Sequence, residues 1–168
     1  MSTMKHISEQ LLQALWQLDP VNATNMGVSG FEGMLPPVDP DERQHLFAQI
    51  SELTKQLKQL LDSGALSASE RLDAEVAIAN MEVRMAQDPG SQDWKANPNW
   101  YVSQVNNGLN GLLLRGSESV ENRIAAVERL LQDVPRFMEK AQHNLVVPNI
   151  PKEWIHVALQ AVSGHERL

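Results

Sequence analysis

Residues 39–87, DPDERQHLFAQISELTKQLKQLLDSGALSASERLDAEVAIANMEVRMAQ, predict two long helices joined by a tight turn. Asp39 lies where a helix N-cap is expected, Pro40 suits the first turn, and Glu42 is placed to complete a capping box. Gly64 ends this first helix. Aliphatic residues recur along it at spacings of three and four, which places them on one face: Leu46, Ile50, Leu53, Leu57 and Leu60.

The second helix of this hairpin begins at another capping box, Ser67 with Glu70. Apolar residues occupy two adjacent flanks: Leu72, Val76, Ala79 and Val83 on one, and Ala74, Ile78, Met81 and Met85 on the other. One stripe is typical of a solvent-facing surface: Asp73, Ala77, Asn80, Arg84 and Gln87. We therefore expect neighbouring helices to enclose most of this helix.

Composition limits the classes of function. A chain of 168 residues is long enough for one domain with a substantial core, so we expect residues 1–168 to form a single helical region. The net charge of −7 and the scattered basic residues argue against nucleic-acid binding. No cysteine is present, and residues 1–13 do not resemble a signal peptide. No apolar run is long enough to cross a membrane, and we expect a cytoplasmic protein.

Before the hairpin, the sequence predicts a helix over about Lys5–Leu18 and a short helical turn from Asp19 to Gly27. The first helix carries an apolar stripe of Ile7, Leu11, Leu15 and Leu18, with Leu12 and Trp16 beside it. Residues 27–37 hold three glycines, two prolines and the apolar Phe31. This segment is too irregular for a helix and too apolar to be fully solvated, so we expect it to lie across the bundle.

After the hairpin, Asp88, Pro89 and Gly90 predict a break, followed by a polar connection anchored by Trp94. A helix then starts at Asn97 with a buried stripe of Val102, Val105, Leu109 and Leu112. Its middle contains Asn106, Asn107, Gly108, Asn110 and Gly111, all poor helix formers. The two glycines would allow another helix to approach closely, and the asparagines either face water or bond across an interface. The alternative is an interruption of the helix.

The remaining residues continue the helical pattern. Gly116 and Ser117 separate two helices, and Pro135 predicts a kink or a new start. The next stripe is Val120, Ile124, Val127, Leu131 and Val134, followed by Phe137, Met138, Ala141 and Leu145. A last helix follows Pro151 with Trp154, Ile155, Ala158, Leu159 and Val162 predicted inward. The fold class is all-α, with about seven helices packed as an irregular bundle around the hairpin of residues 39–87.

Two Glu-x-x-His pairs, Glu42 with His45 and Glu153 with His156, have the spacing used in di-iron helical bundles. Completing such a site would take glutamates from other helices, and the candidates are Glu75, Glu82, Glu121 and Glu128. However, His45 and His156 fall on the polar sides of their helices, whereas ligands must converge inside a bundle. The sequence therefore disfavours a di-iron site.

His165 and Glu166 resemble the start of a zinc-protease His-Glu-x-x-His motif, but the second histidine would fall past residue 168. No spacing links His6 or His143 to them as a third ligand. We assign no metal ligand, no catalytic residue and no cofactor to this chain.

Asn97, Pro98, Asn99, Trp100 and Tyr101 form the most distinctive local cluster. The aromatic pair could stack against a ligand. We favour a structural role, in which both rings dock on the hairpin, because aromatic side chains dominate core burial.

Several segments together resemble the N-terminal part of the bacterial family catalogued as domain of unknown function 885. The matching features are Leu15 to Pro20 with Ala23-Thr24 and Gly27, the loop Phe31 to Pro36, the helix Asp39 to Leu61, Leu66-Ser67 with Glu70-Arg71-Leu72-Asp73, Asn97-Pro98 before an aromatic pair, Arg123 with Leu130 and Val134-Pro135, and Ala141 with Asn144-Leu145. The resemblance covers nearly the whole chain. Members of that family are several times longer and resemble mostly α-helical zinc metallopeptidases of the gluzincin type.

The family's metal motif lies beyond the region matched here, so the resemblance implies zinc only for full-length relatives. It also implies that this chain is an N-terminal fragment forming a wall or lid over a substrate cleft, without a complete active site of its own. The expected partner is a missing C-terminal catalytic portion or another protein, and uncovered apolar faces could drive self-association. The alternative is a self-sufficient helical protein-interaction module. The substrate-binding residues are not predicted.

Overall fold

The fold is all-α, as predicted. The computed structural model describes residues 3–91, 93–114, 119–146, 148 and 150–163, and eight helices lie within them. They are α1 (Thr3–Leu18), α2 (Pro20–Asn25), α3 (Pro40–Asp62), α4 (Ala68–Ser91), α5 (Asp93–Ala96), α6 (Pro98–Leu114), α7 (Val120–Asn144) and α8 (Lys152–Ser163). The chain divides into two compact units: Met1–Leu18 with Pro40–Ser91, and Asp19–Asp39 with Gln92–Leu168.

The first unit is a three-helix arrangement of α1, α3 and α4, in which the predicted hairpin packs with the N-terminal helix. The stripes predicted for α1 and α3 supply most of its core. Its buried members are Met4, Ile7, Leu11, Ala14, Leu15, Leu18, Leu46, Ile50, Leu53, Leu57, Ala74, Ile78 and Met81. These stripes were predictable because each helix has one apolar face with a regular spacing.

The turn between α3 and α4 has the predicted chemistry. Gly64 adopts a φ of 70° at the end of α3. The Ser67 backbone N–H donates to the Glu70 carboxylate at 3.0 Å, and the Glu70 N–H donates to the Ser67 hydroxyl at 3.4 Å. This reciprocal pair is the predicted capping box, and it satisfies N–H groups that the first helical turn cannot pair internally.

The expected enclosure of α4 is wrong. Ala74, Ile78 and Met81 are buried, but Leu72, Val76 and Val83 are 61%, 54% and 57% exposed. At about 100° per residue, these two sets lie on roughly opposite sides of the helix, so the prediction of two adjacent flanks is also wrong. The helix therefore has two apolar faces, and among the described residues the face towards α1 and α3 is the covered one.

The second unit is centred on α6, which packs with α2, α5, α7 and α8. Asn97 caps α6 as predicted, because its side-chain oxygen accepts from the Asn99 N–H at 3.0 Å. The helix runs without interruption through its glycines, so the alternative of a broken helix is wrong. A Cβ on Gly108 would lie 2.7 Å from Leu130 Cδ1, and one on Gly111 would overlap the Asn25 amide. Both glycines thus permit the close approach that the sequence predicted.

The break predicted at residues 88–90 is wrong, and of the two outcomes predicted for Pro135, a kink or a new start, the new start does not occur. Helix α4 continues through Asp88, Pro89 and Gly90 to Ser91, and α7 continues through Pro135 without a new start. A proline inside a helix removes one backbone hydrogen bond and disturbs the preceding turn. Both helices are more than 20 residues long, and each continues beyond its proline. The predicted boundary at Gly116 and Ser117 lies outside the described residues, and Ser119 caps α7 by accepting from the Asn122 N–H at 3.2 Å.

In the first half of α7 the buried face differs from the predicted stripe by about a quarter turn. Val120, Ile124 and Leu131 are exposed and Ala126 and Leu130 are buried instead, whereas the predicted burial of Phe137 and Ala141 is confirmed. The backbone of Ala126 lies beneath Gly33 of the loop between α2 and α3, and Leu130 packs against Gly108 of α6. The contacts with these glycines determine which side of a broadly apolar helix is buried.

The loop between α2 and α3 follows α7, so the prediction that it lies across the bundle is confirmed. Phe31 is buried, and Arg129 Nη1 donates to the Glu32 carbonyl at 3.1 Å. Further along α7, Asn144 Nδ2 donates to the Val38 carbonyl at 2.7 Å. Gly33 has a φ of 75°, and a Cβ there would overlap the Ala126 carbonyl oxygen. The loop is therefore anchored at both ends along one helix.

Replacing Gly33 with alanine tests this close approach. Gly27 is the matched control, because its φ of 79° is similar but nothing lies within 4 Å of the position of its Cβ. Gly27→Ala should lower the free energy of unfolding by about 1 kcal/mol for its left-handed conformation. Gly33→Ala should lower it by about 2 kcal/mol more, because the loop must move away from α7. Urea unfolding followed by tryptophan fluorescence measures both, and equal losses would contradict the described packing.

Candidate functional site

The two Glu-x-x-His pairs lie on the solvent side of their helices. Glu42 and His45 are exposed on α3, and Glu153 and His156 are exposed on α8. The nearest polar partner of His156 is Gln160, whose Nε2 lies 3.2 Å from the imidazole Nε2. The histidine positions predicted from the helical pattern are confirmed, and neither pair is directed into a helix interface.

The four glutamates considered for a di-iron site, Glu75, Glu82, Glu121 and Glu128, are exposed as well. Two of them form surface ion pairs: Glu75 with Arg71 at 3.0 Å and Glu82 with Lys58 at 2.6 Å. Across the part of the chain that the structure describes, no group of three or more histidine, aspartate or glutamate side chains could hold a metal ion. His165 and Glu166 lie outside those residues.

Glu121 belongs to the N-terminal turn of α7. Its own backbone N–H and, to a smaller extent, the Ser119 hydroxyl lower the pKa of the Glu121 carboxyl below its ordinary value. Both groups form hydrogen bonds with the charged form, which favours ionisation. Hydrogen bonds of this kind cap the start of a helix and stabilise an exposed carboxylate there. The lowered pKa therefore does not indicate catalysis.

The aromatic pair Trp100 and Tyr101 belongs to a core cluster. The Tyr101 ring packs edge-on against Trp100 with centroids 4.9 Å apart, and its centroid lies 5.4 Å from that of Phe137. Tyr101 is almost fully buried, and Val38, Trp94 and Phe137 complete the cluster with Ala141. The predicted structural role is confirmed for Tyr101. The surrounding elements are α5, α7 and the loop, in place of the hairpin that the sequence predicted as the platform.

A small polar network closes this cluster. The Tyr101 hydroxyl donates to the Trp94 carbonyl, and Asn144 Nδ2 lies 3.4 Å from the same hydroxyl while donating to the Val38 carbonyl at 2.7 Å. The network joins the loop, α5, α6 and the end of α7. Its members bond to one another, which is typical of a structural network that fixes a core.

Arg43 is a further buried polar residue, to which no role was assigned from the sequence. It is only 4% exposed on α3, and its guanidinium carbon lies 5.7 Å from the centroid of the Phe47 ring. The spacing of four residues between Arg43 and Phe47 was the available signal, because residues so spaced are neighbours on a helix. The arrangement is a cation–π contact within one helix and indicates packing.

The apolar surface of α8 is the most conspicuous feature of the second unit. Ala158 is buried, but the inward placement predicted for its neighbours is wrong, since Trp154, Ile155, Leu159 and Val162 are 39%, 38%, 62% and 49% exposed. These residues flank Ala158 on the helical wheel. The apolar side of α8 therefore faces α6, but the contact with α6 leaves both flanks partly exposed.

More apolar surface is exposed where α6 ends and α7 begins. Leu113 and Leu114 are exposed at the end of α6, and Val120 and Ile124 are exposed at the start of α7. The pairing of Gly108 with Leu130, and of Leu112 with Ala126, makes these two helices antiparallel. Their exposed ends therefore lie at the same side of the second unit. Apolar surface of this extent commonly marks a protein interface.

Comparison with known proteins identifies a shared fold. No family model and no curated protein matches the chain. A solved structure, that of "a putative lipoprotein of unknown function from Shewanella oneidensis", matches it with a TM-score of 0.77 and 21% sequence identity. The match covers 98% of this chain and 29% of that chain, so this chain spans less than a third of the length of that protein. At this identity the similarity shows the fold alone.

The helices described here do not include one that is both long and apolar enough to cross a membrane.

Replacing Asn144 with alanine tests the polar network. The free energy of unfolding should fall by about 2 kcal/mol, because the Val38 carbonyl and the Tyr101 hydroxyl lose a partner inside the fold. Asn80→Ala is the matched control: Asn80 Nδ2 donates to the Val76 carbonyl at 2.8 Å, but on an exposed surface. That substitution should change stability by less than about 0.5 kcal/mol. Similar effects in the two variants, measured by urea unfolding, would contradict a structural role for the network.

Replacing Ser119 with alanine tests the shift at Glu121. The pKa of Glu121 should rise towards its ordinary value, because one of the two donors to its carboxylate is lost. Since folding lowers this pKa, the stabilisation is present above the unfolded-state pKa and is lost as the pH falls through the folded-state pKa. Carboxyl NMR titration of Glu121 measures the effect, with Glu128 as an exposed reference. An unchanged pKa would remove the Ser119 hydroxyl as a cause.

Proposed function

We propose that this chain is a non-catalytic helical region of a zinc metallopeptidase-like protein, in which it forms a wall or lid over the substrate cleft. The observation that carries the proposal is the extent of the structural match. The fold of almost the whole chain corresponds to 29% of a longer chain, so in that protein it is one part of a larger molecule. The segments that resemble domain of unknown function 885 supply the peptidase class.

The exposed apolar side chains of the second unit support this proposal. Trp154 and Leu159 on α8, with Leu114 on α6, leave apolar area in contact with water. Burying apolar surface stabilises a protein by about 25 cal/mol per Å², so covering these side chains with further polypeptide would be favourable. A wall or lid region would bury such apolar side chains against the catalytic portion on one of its sides.

The proposal assigns the zinc site to no residue of this chain. Glu42 and His45 lie on α3 and Glu153 and His156 on α8, all exposed to solvent. In this proposal the peptidase zinc is held by a C-terminal catalytic portion, and that portion is the partner of this chain. A cytoplasmic location remains a prediction from the sequence.

The proposal predicts that the purified chain of residues 1–168 has no zinc-dependent peptidase activity. It also predicts self-association and binding of an apolar fluorescent dye through the α8 surface. Leu159→Ser should weaken dye fluorescence, because it removes a 62% exposed leucine, whereas Gln160→Ser on the polar side should leave it unchanged. Peptidase assays with added zinc, light scattering and dye titration measure these properties.

Zinc-dependent cleavage by the isolated chain would overturn the proposal. A monodisperse chain that melts cooperatively and binds no dye would instead support the alternative of a self-sufficient interaction module. The division of the chain into two compact units with separate core clusters is the observation that favours this alternative.

A further inference from the structure

The outer face of α4 has the pattern of a helix-pairing seam. Leu72, Val76, Ala79 and Val83 follow one another at spacings of four, three and four, and all four are exposed. This alternation is the heptad pattern by which two helices pack side by side, with Leu72 and Ala79 at d positions and Val76 and Val83 at a positions. The opposite face of the same helix is buried, because Ala74, Ile78 and Met81 belong to the core of the first unit.

The residues that border this seam are acidic or neutral. In the heptad register, the positions next to the seam are Glu75 and Glu82 at g and Asp73 and Asn80 at e. All four are exposed. These side chains are the first polar groups that a helix packed on the seam would meet, so the border is negatively charged on both sides.

The basic partners of the two glutamates lie farther from the seam. Glu75 pairs with Arg71 at 3.0 Å, one turn earlier on α4, and Glu82 pairs with Lys58 of α3 at 2.6 Å. The glutamate side chains in these pairs are 47% and 58% exposed, and such surface pairs contribute little stability. Both carboxylates can therefore form new ion pairs with a helix on the seam.

We propose that the outer face of α4 binds an amphipathic helix of another polypeptide, with an apolar seam and lysine or arginine on both sides of it. Charge complementarity selects this occupant. A second copy of α4 offers no basic residue at its e or g positions: packed antiparallel it would place glutamates at g opposite each other, and packed parallel it would place them opposite neutral Asn80 and Gln87. This inference does not depend on the proposed peptidase-related function, because it concerns only the first unit.

The test uses the full chain and two fluorescent peptides of three heptads, both with leucine at a and d. One peptide carries lysine at every e and g position, and the other carries glutamate there. The lysine peptide should bind at least about tenfold more tightly, and raising the salt from about 50 mM to about 500 mM should weaken its binding. Fluorescence anisotropy measures the affinity, and circular dichroism reports helix formation by the peptide.

Two double variants of α4 and one control double variant of α7 locate the site. Val76→Ser with Val83→Ser should abolish binding, whereas Val120→Ser with Ile124→Ser, which changes equally exposed residues of α7, should preserve it. Glu75→Lys with Glu82→Lys should reverse the preference, so that the glutamate peptide binds more tightly. This reversal tests the seam even if the serine variant loses structure.

Three results would overturn the inference. The first is equal binding of the two peptides, and the second is binding that neither α4 variant changes. The third is a homodimer of the chain that Val76→Ser with Val83→Ser dissociates, because a second copy would then cover the seam.

Discussion

The second unit depends on the close approach of two helices to α6. Gly108 leaves room for Leu130 of α7, and Gly111 leaves room for Asn25 at the end of α2, where any larger side chain would collide. The same helix also contacts α5 and α8. Because α6 meets four helices, its own sequence must combine small residues with a regular apolar stripe. The cost of two glycines in a helix is offset by these contacts.

This arrangement explains why so much apolar surface remains exposed. Helix α8 packs on α6 through the small side chain of Ala158, and the larger residues on either side extend past the contact. Helix α7 is oriented by Ala126 and Leu130, which leaves Val120 and Ile124 facing solvent. A helical region would present such faces to the remainder of a larger molecule. This surface and the resemblance of the sequence support the proposed wall or lid role, which the extent of the structural match carries.

The sequence predicted those parts of the fold that depend on local chemistry and on a single apolar face. The α3 stripe, the Ser67 and Glu70 capping box, the Asn97 cap and the close approach at Gly108 are of this kind. The prediction of buried faces failed where a helix has more apolar surface than its neighbours can cover. Periodicity cannot show which of the two apolar faces of α4 is buried, because that depends on the number and position of neighbouring helices.

Among the candidate site residues, too, a local pattern predicted some features and missed others. The exposure of His45 and His156 was predictable, because each lies on the polar side of its helix. The hydrogen bond from Asn144 to the Val38 carbonyl joins residues 106 positions apart, and no local pattern indicates it. Arg43 was missed because a lone arginine near a helix start ordinarily faces solvent.

The most direct test of the proposed role is to sequence the source DNA beyond the codon for Leu168 and to translate its forward reading frames. We expect a continuation that carries a His-Glu metal motif and a downstream glutamate, which would make this chain the wall or lid region of a peptidase. A downstream sequence without such a motif in any frame would contradict the proposed role.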